Sequence, residues 1–131
     1  MRLGVLAVLL GNKPLEEAVS YFKRLGIQAV EIGAGGYPGK AHCDPAELLA
    51  DPDKLTAFQD VFKKYEMELS ALSCHGNPVH PDPAVAASYH KDFENAILLA
   101  ENPKYDPILL NDDQVNILGL AVGVIKTGHR H

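Results

Sequence analysis

The alternation of apolar runs with aspartate- and proline-opened helical segments constrains this chain more than any other feature. Leu3-Gly4-Val5-Leu6-Ala7-Val8-Leu9-Leu10 is almost continuously apolar, the pattern of a strand covered on both faces in a parallel sheet. Gly11-Asn12 ends it. Lys13-Pro14 then opens a helix with Glu16 and Glu17 in its first turn, where the positive end of the helix dipole favours carboxylates. Leu15, Ala18, Val19, Phe22 and Leu25 recur at helical spacing, and Gly26 supplies the stop. The cycle then repeats. Ile27 to Ile32 reads as a second strand, residues 33–42 as a long glycine-rich loop, and Asp44-Pro45 and Asp51-Pro52 as two N-cap signals. The helix after Asp51 is expected to turn Leu55, Phe58, Val61 or Phe62, and Tyr65 inward. Glu68 to Ser73 reads as a third strand. Asp82-Pro83 caps a last helix whose inward face is expected to carry Val85, Tyr89, Phe93, Ile97 and Ala100.

Strands alternating with helices predict the α/β class, built from about three to four parallel βα units in a single domain spanning residues 1–131. After Asn102-Pro103 the pattern degrades, and residues 102–131 read as a divergent C-terminal segment. Within it Ile108-Leu109-Leu110 suits a short fourth strand, Val115 to Ile125 a strand or a short buried helix, and Lys126 to His131 a frayed tail.

Composition removes several function classes. With 47% hydrophobic and 22% charged residues the chain is an ordinary globular domain, and a net charge of −5 provides no basic stripe for nucleic acid. The longest apolar stretch is broken by Asn116, Gly119 and Gly123 and falls far short of the ~20 residues that span a bilayer. Cys43 and Cys74 match no metal or redox spacing and read as reduced thiols of a cytoplasmic protein without a signal segment.

Loops that follow parallel strands collect at one end of the sheet, where reactive groups gather. Glu31 stands in a segment that should be buried, so its carboxylate needs a partner. It either serves a ligand or caps a helix or pairs with Lys40. Ser73-Cys74-His75-Gly76-Asn77-Pro78 breaks directly out of the third strand. Its His75 is a candidate metal ligand, proton-transfer group or hydroxyl-binding donor, or else a histidine held by a tight turn. Asn77 suits a sugar hydroxyl or, before proline, a turn. His42, His80 and His90 are weaker candidates, and His129 and His131 belong to the tail. The glycine loop Gly33-Ala34-Gly35-Gly36-Tyr37-Pro38-Gly39-Lys40 misses both the P-loop and the dinucleotide spacing. It reads as a mobile, substrate-covering loop with Lys40 a candidate for phosphate contact. Cys74 beside His75 is no nucleophile pair, because strand neighbours point to opposite faces.

Taken together, Arg2-Leu3-Gly4-Val5, Leu25-Gly26-Ile27-Gln28-Ala29-Val30-Glu31-Ile32 and Ser73-Cys74-His75-Gly76-Asn77-Pro78 resemble the xylose isomerase-like TIM-barrel superfamily over residues 1–101. This group includes sugar phosphate isomerases and epimerases and endonuclease IV-type repair enzymes. The resemblance implies a partial TIM barrel and a metal-dependent sugar or sugar-phosphate isomerase/epimerase. In such an enzyme a divalent metal (Mn, Mg, Co or Zn) polarises a sugar carbonyl while a carboxylate moves the proton. On this reading Glu31, His75, Asn77 and Lys40 are the sugar-contacting candidates, His75 is the one metal-ligand candidate, and the catalytic residues are unassigned. At 131 residues the chain is expected to be the N-terminal half of such a barrel with an incomplete metal site. Its exposed strand edges favour a homo-oligomer. The two rival expectations are an endonuclease IV-like phosphodiester hydrolase, which net charge opposes, and a non-catalytic sugar-binding or assembly module.

Overall fold

The computed structural model describes residues 2–101; the expectations for 102–131 lie outside the described residues. Element order is β1 (Gly4–Leu6), a 3-10 turn (Ala7–Leu10), α1 (Leu15–Arg24), β2 (Ala29–Gly36), α2 (Pro45–Ala50), α3 (Pro52–Lys64), β3 (Glu68–His75) and α4 (Pro83–Ala100). The three strands form one parallel sheet in the order β1-β2-β3. The protein is therefore α/β, with parallel βα units following one another in sequence order.

The helix starts arise as their capping residues dictate. Asp44 accepts from the Ala46 amide at 3.0 Å, Asp51 from those of Asp53 at 3.0 Å and Lys54 at 3.2 Å, and Asp82 from that of Ala84 at 2.8 Å. A proline follows each in the first turn, where no amide partner is needed. Helices α1 and α3 end alike. Ile27 N–H reaches the Phe22 carbonyl and Gly26 N–H that of Lys23; Met67 and Glu66 repeat this on Phe62 and Lys63. Both are Schellman ends needing a left-handed residue. Gly26 meets the requirement at φ +80°, whereas Glu66 meets it with a side chain at φ +46°.

The core lies between the sheet and the helices: Val30 and Ile32 of β2 are fully buried in one cluster with Ala18, Val19 and Phe22 of α1 and Leu55, Phe58 and Phe62 of α3. Each large side chain there stabilises the fold by about 1.5–3 kcal/mol. Of the residues expected to face inward, Tyr65 and Val61 are only partly buried and Leu25 is exposed.

Four local expectations are corrected. The first strand stops at Leu6, level with Glu31, and residues 7–10 coil into a 3-10 turn that buries Ala7. A continuous apolar run does not distinguish a buried strand from a buried helical turn. Ile27 belongs to the end of α1, and β2 runs on to Gly36, so the first four residues of the expected glycine loop are strand. The third strand likewise continues past Ser73 to His75. Finally, α4 is rotated: Ala96 and Leu99 are its buried residues, with Val85, Tyr89 and Asp92 partly buried on the same side, while Phe93 and Ile97 are exposed.

The β2–β3 register carries two irregularities. Val30 pairs with Leu69 but Glu31 with Ala71, leaving Ser70 over in β3, where its hydroxyl donates to the Val30 carbonyl at 3.0 Å. Between Gly33↔Ser73 and Gly36↔His75 the extra residue is in β2 instead. Such bulges re-aim side chains at the rims of sheets.

Candidate functional site

The candidate site runs from Glu31, within β2, to the C-terminal end of β3. Val30 and Ile32 enter the helix-side core, so Glu31 between them projects from the opposite face. Its register partner is Ala71, and Ser73 and His75 follow at alternate positions, which places Glu31, Ser73 and His75 on one face. The hydroxyl of Ser73, itself buried, donates a hydrogen bond to the Glu31 carboxylate. Glu31 is thus held by Ser73, and Lys40 goes elsewhere. His75 is exposed at the strand end, four residues beyond the level of Glu31 and so about 13 Å further along the strand at about 3.3 Å per residue.

The loop after β2 is strapped to α4. Lys40 Nζ lies 2.6 Å from Asp92 Oδ1 and 3.9 Å from an Asp44 carboxylate oxygen. Asp92 Oδ2 accepts from the Gly36 amide at 3.1 Å, and the Tyr37 amide donates to the His75 carbonyl at 2.7 Å. Burial by itself would raise the Asp92 carboxyl, but the hydrogen bonds from Lys40 and the Gly36 N–H bring it below the usual carboxylate value. The hydrogen bond to Asp92 holds Lys40 above its ordinary value against the opposing pull of burial. The Tyr37 and Tyr89 rings lie 5.4 Å apart, tilted by 55°.

Glycine is required in this junction on steric grounds. Gly36 has φ +63°, and a Cβ there would sit 1.8 Å from the His75 carbonyl oxygen; one on Gly76 would sit 2.2 Å from the Tyr89 ring. Gly35, at φ +143°, would meet Asp92 at 2.9 Å. The expected covering loop is thus a fastened turn stitched by Gly35 N–H to Gly39 O and Gly39 N–H to Gly36 O.

The remaining candidates divide plainly. Asn77 Oδ1 accepts from Val79 N–H, the turn role. His80 Nδ1 accepts from Asp82 N–H, His42 Nε2 hydrogen-bonds to the Lys13 carbonyl, and His90 pairs with Glu94. Cys43 and Cys74 are both free; burial pushes the Cys43 thiol up to about 12 and raises that of Cys74, with Asp92 adding to the rise and Lys40 opposing it. Among the described residues no group of three or more His, Cys, Asp or Glu is gathered to hold a metal ion. Glu31 and His75 stand too far apart along the sheet to share one. The described residues therefore do not fit the divalent metal implied by the sequence resemblance.

Asp92 and Tyr89 border the candidate site and were not among the residues the sequence singled out for it. The signal for them was their spacing with Val85, Ala96 and Leu99, which places all five along one helical stripe.

The fold is that of a parallel α/β protein whose candidate site presents a carboxylate, a hydroxyl and an imidazole on one sheet face. No protein-family model matches the chain, and no solved structure matches it. The chain is similar to the uncharacterized protein YfiH of Bacillus subtilis (strain 168), with 34% identity over 93 residues. That alignment covers 71% of this chain and 29% of the relative, so the chain spans less than a third of the relative's length. Among the described residues no helix is long and apolar enough to cross a membrane.

Proposed function

We propose that this chain forms the sugar-holding wall of a barrel-type isomerase or epimerase pocket acting on a sugar or sugar phosphate. One observation carries the reading: Glu31, Ser73 and His75 project from the same face of adjacent parallel strands, from within β2 to the C-terminal end of β3. A carboxylate oriented by a serine hydroxyl accepts hydrogen bonds from sugar hydroxyls, and an exposed imidazole beyond it donates or accepts at a second hydroxyl. Their separation along the strands of about 13 Å makes them separate polar contacts and not a proton-relay pair. The resemblance of residues 1–101 to the xylose isomerase-like group supports the reaction type, proton movement beside a sugar carbonyl. No step of the proposed chemistry passes through a metal, since the described residues make no site for one. With Cys43 and Cys74 free, the cytoplasm is the compartment that suits this reading.

The test is proton exchange. The 131-residue chain would be incubated in D2O with aldoses, ketoses and their phosphates, with and without Mn²⁺, Mg²⁺, Co²⁺ or Zn²⁺. NMR would follow deuterium entering beside the carbonyl. The expected result is exchange that falls by about tenfold or more in Glu31→Gln and His75→Ala. Exchange indifferent to both substitutions would overturn the reading. Sugar binding without exchange would establish the non-catalytic alternative, and light scattering on the same samples would decide the oligomeric state.

A further inference from the structure

The junction of the β2 loop with α4 already holds an anion, and that anion is Asp92. A phosphate seated here would require a lysine ammonium and backbone N–H groups converging on it. Both are present and both are occupied. Lys40 Nζ is 2.6 Å from Asp92 Oδ1, and the Gly36 N–H points to Asp92 Oδ2 at 3.1 Å. Three more amides of the turn have internal acceptors: Gly35 donates to Gly39, Tyr37 to His75 and Gly39 to Gly36. Asp44 adds a second carboxylate at 3.9 Å from Lys40.

The neighbouring strand-end loops repeat this economy of positive charge. The segment after β1 contributes Lys13, paired with Glu17 at 2.7 Å. The segment after β3, Gly76-Asn77-Pro78-Val79-His80-Pro81-Asp82, contains no lysine or arginine. Glu31 adds a further carboxylate beside Ser73. Among the described residues every lysine offered at this end of the sheet is thus matched by a carboxylate, and a dianionic phosphate would be desolvated against an acidic surround.

What this end does present is aromatic surface. Tyr37 is 72% exposed; its amide donates to the His75 carbonyl, and its ring is braced by Tyr89 of α4. Tyr89 in turn is fixed by the absence of a side chain at Gly76. An aromatic face offers apolar area and a negative quadrupole to the weakly positive C–H face of a sugar ring, while edge hydroxyls remain free for polar partners. We infer that the ligand taken at this end of the sheet is an uncharged sugar or cyclic polyol seated against Tyr37, and not a sugar phosphate. The inference rests on the sugar-directed reading above and narrows its substrate class.

NMR titration of the 131-residue chain with fructose, xylose and myo-inositol, against fructose 6-phosphate and inorganic phosphate, tests it. The expected result is binding of an uncharged ligand, weakened about tenfold in Tyr37→Ala and retained in Tyr37→Phe, which keeps the ring. Inorganic phosphate is expected not to bind wild type and to bind Asp92→Ala, in which both Lys40 and the Gly36 amide are released. Tighter binding of fructose 6-phosphate than of fructose to wild type, lost in Lys40→Met, would overturn the inference and leave the sugar reading standing. Phosphate failing to bind a folded Asp92→Ala would also overturn it. Failure of every sugar and sugar phosphate to bind would overturn the sugar reading and this inference together.

Discussion

Asp92 of α4 and Lys40 of the loop after β2 meet at 2.6 Å, with the second Asp92 oxygen on the Gly36 amide. One carboxylate therefore ties a helix to both the end of a strand and the loop that leaves it. The Lys40 and Asp92 side chains are 33% and 19% exposed, so the pair is sheltered more than an ordinary surface ion pair.

Removal of this tie is expected to destabilise the fold. Asp92→Ala leaves the Gly36 amide and the Lys40 ammonium without their acceptor and should cost about 1–3 kcal/mol, with Asp92→Asn costing less. The pH dependence has two limits. The depressed Asp92 carboxyl contributes stability above its unfolded value of about 4, lost as pH falls through the lower folded value; the raised Lys40 contributes below about 10, lost as pH rises through its higher folded value. Urea melts of wild type and Asp92→Asn should differ most between those limits and converge outside them. A constant difference from pH 2 to neutrality, on the order of the full effect, would contradict the ion-pair account.

Left-handed glycines should differ by their neighbours. A Cβ added at Gly26, φ +80°, would have nothing within 4 Å, whereas one added at Gly36, φ +63°, would meet the His75 carbonyl at 1.8 Å. Gly26→Ala is expected to cost about 1 kcal/mol, the backbone penalty alone. Gly36→Ala adds overpacking of about 1–3 kcal/mol and displaces the end of β3. Thermal melts rank the two, and equal losses would refute the close approach.

Glu66 is the converse case, a side chain at φ +46° where α3 ends as α1 ends on Gly26. Glu66→Gly relieves a left-handed penalty of about 1 kcal/mol, offset in part by the greater freedom of glycine in the unfolded chain. The lost contact with Lys23 is 3.8 Å long at a largely exposed carboxylate and contributes little. A modest rise in Tm is expected, and a fall would show that the Lys23 contact outweighs the backbone strain.

The two thiols should react at different rates. Cys43, 2% exposed and raised to about 12, is expected to resist a disulfide reagent at pH 8 until the chain unfolds. Cys74 is partly buried, raised by burial and by Asp92 and lowered by Lys40. It should react slowly, faster in Asp92→Asn and more slowly in Lys40→Met. Identical Cys74 rates in the three proteins would mean that the pair does not reach the thiol electrostatically.

Strand and helix order, the three aspartate caps and the glycine stop of α1 were all legible in the amino-acid sequence, because caps and turns depend on chemistry within a few residues. The same locality made His75 visible as a polar group at a strand end, whereas Glu31, expected at one, lies within β2 because that strand runs on to Gly36. The inward face of α4 was not legible. Its sequence is apolar on more than one side, so Phe93 and Ile97 competed with Ala96 and Leu99 for the core, and periodicity alone does not choose between them. The choice depends on a partner distant in sequence: the Lys40 ammonium and the Gly36 amide draw Asp92 inward, and the Phe93 stripe turns outward with it.

The register followed the same division. Alternation in β3 gives no sign that Ser70 is surplus or that β2 carries an extra residue before Gly36, since a bulge exists only between two strands. What the chain encodes alone is therefore the parallel α/β plan and the polar character of its strand ends. Tertiary structure decided that Glu31 is held by Ser73, that Lys40 is matched by Asp92, and that Tyr37 stands uncovered beside His75. Each of those pairings joins residues from different βα units, and their energies arise only once packing has brought those units to a common edge.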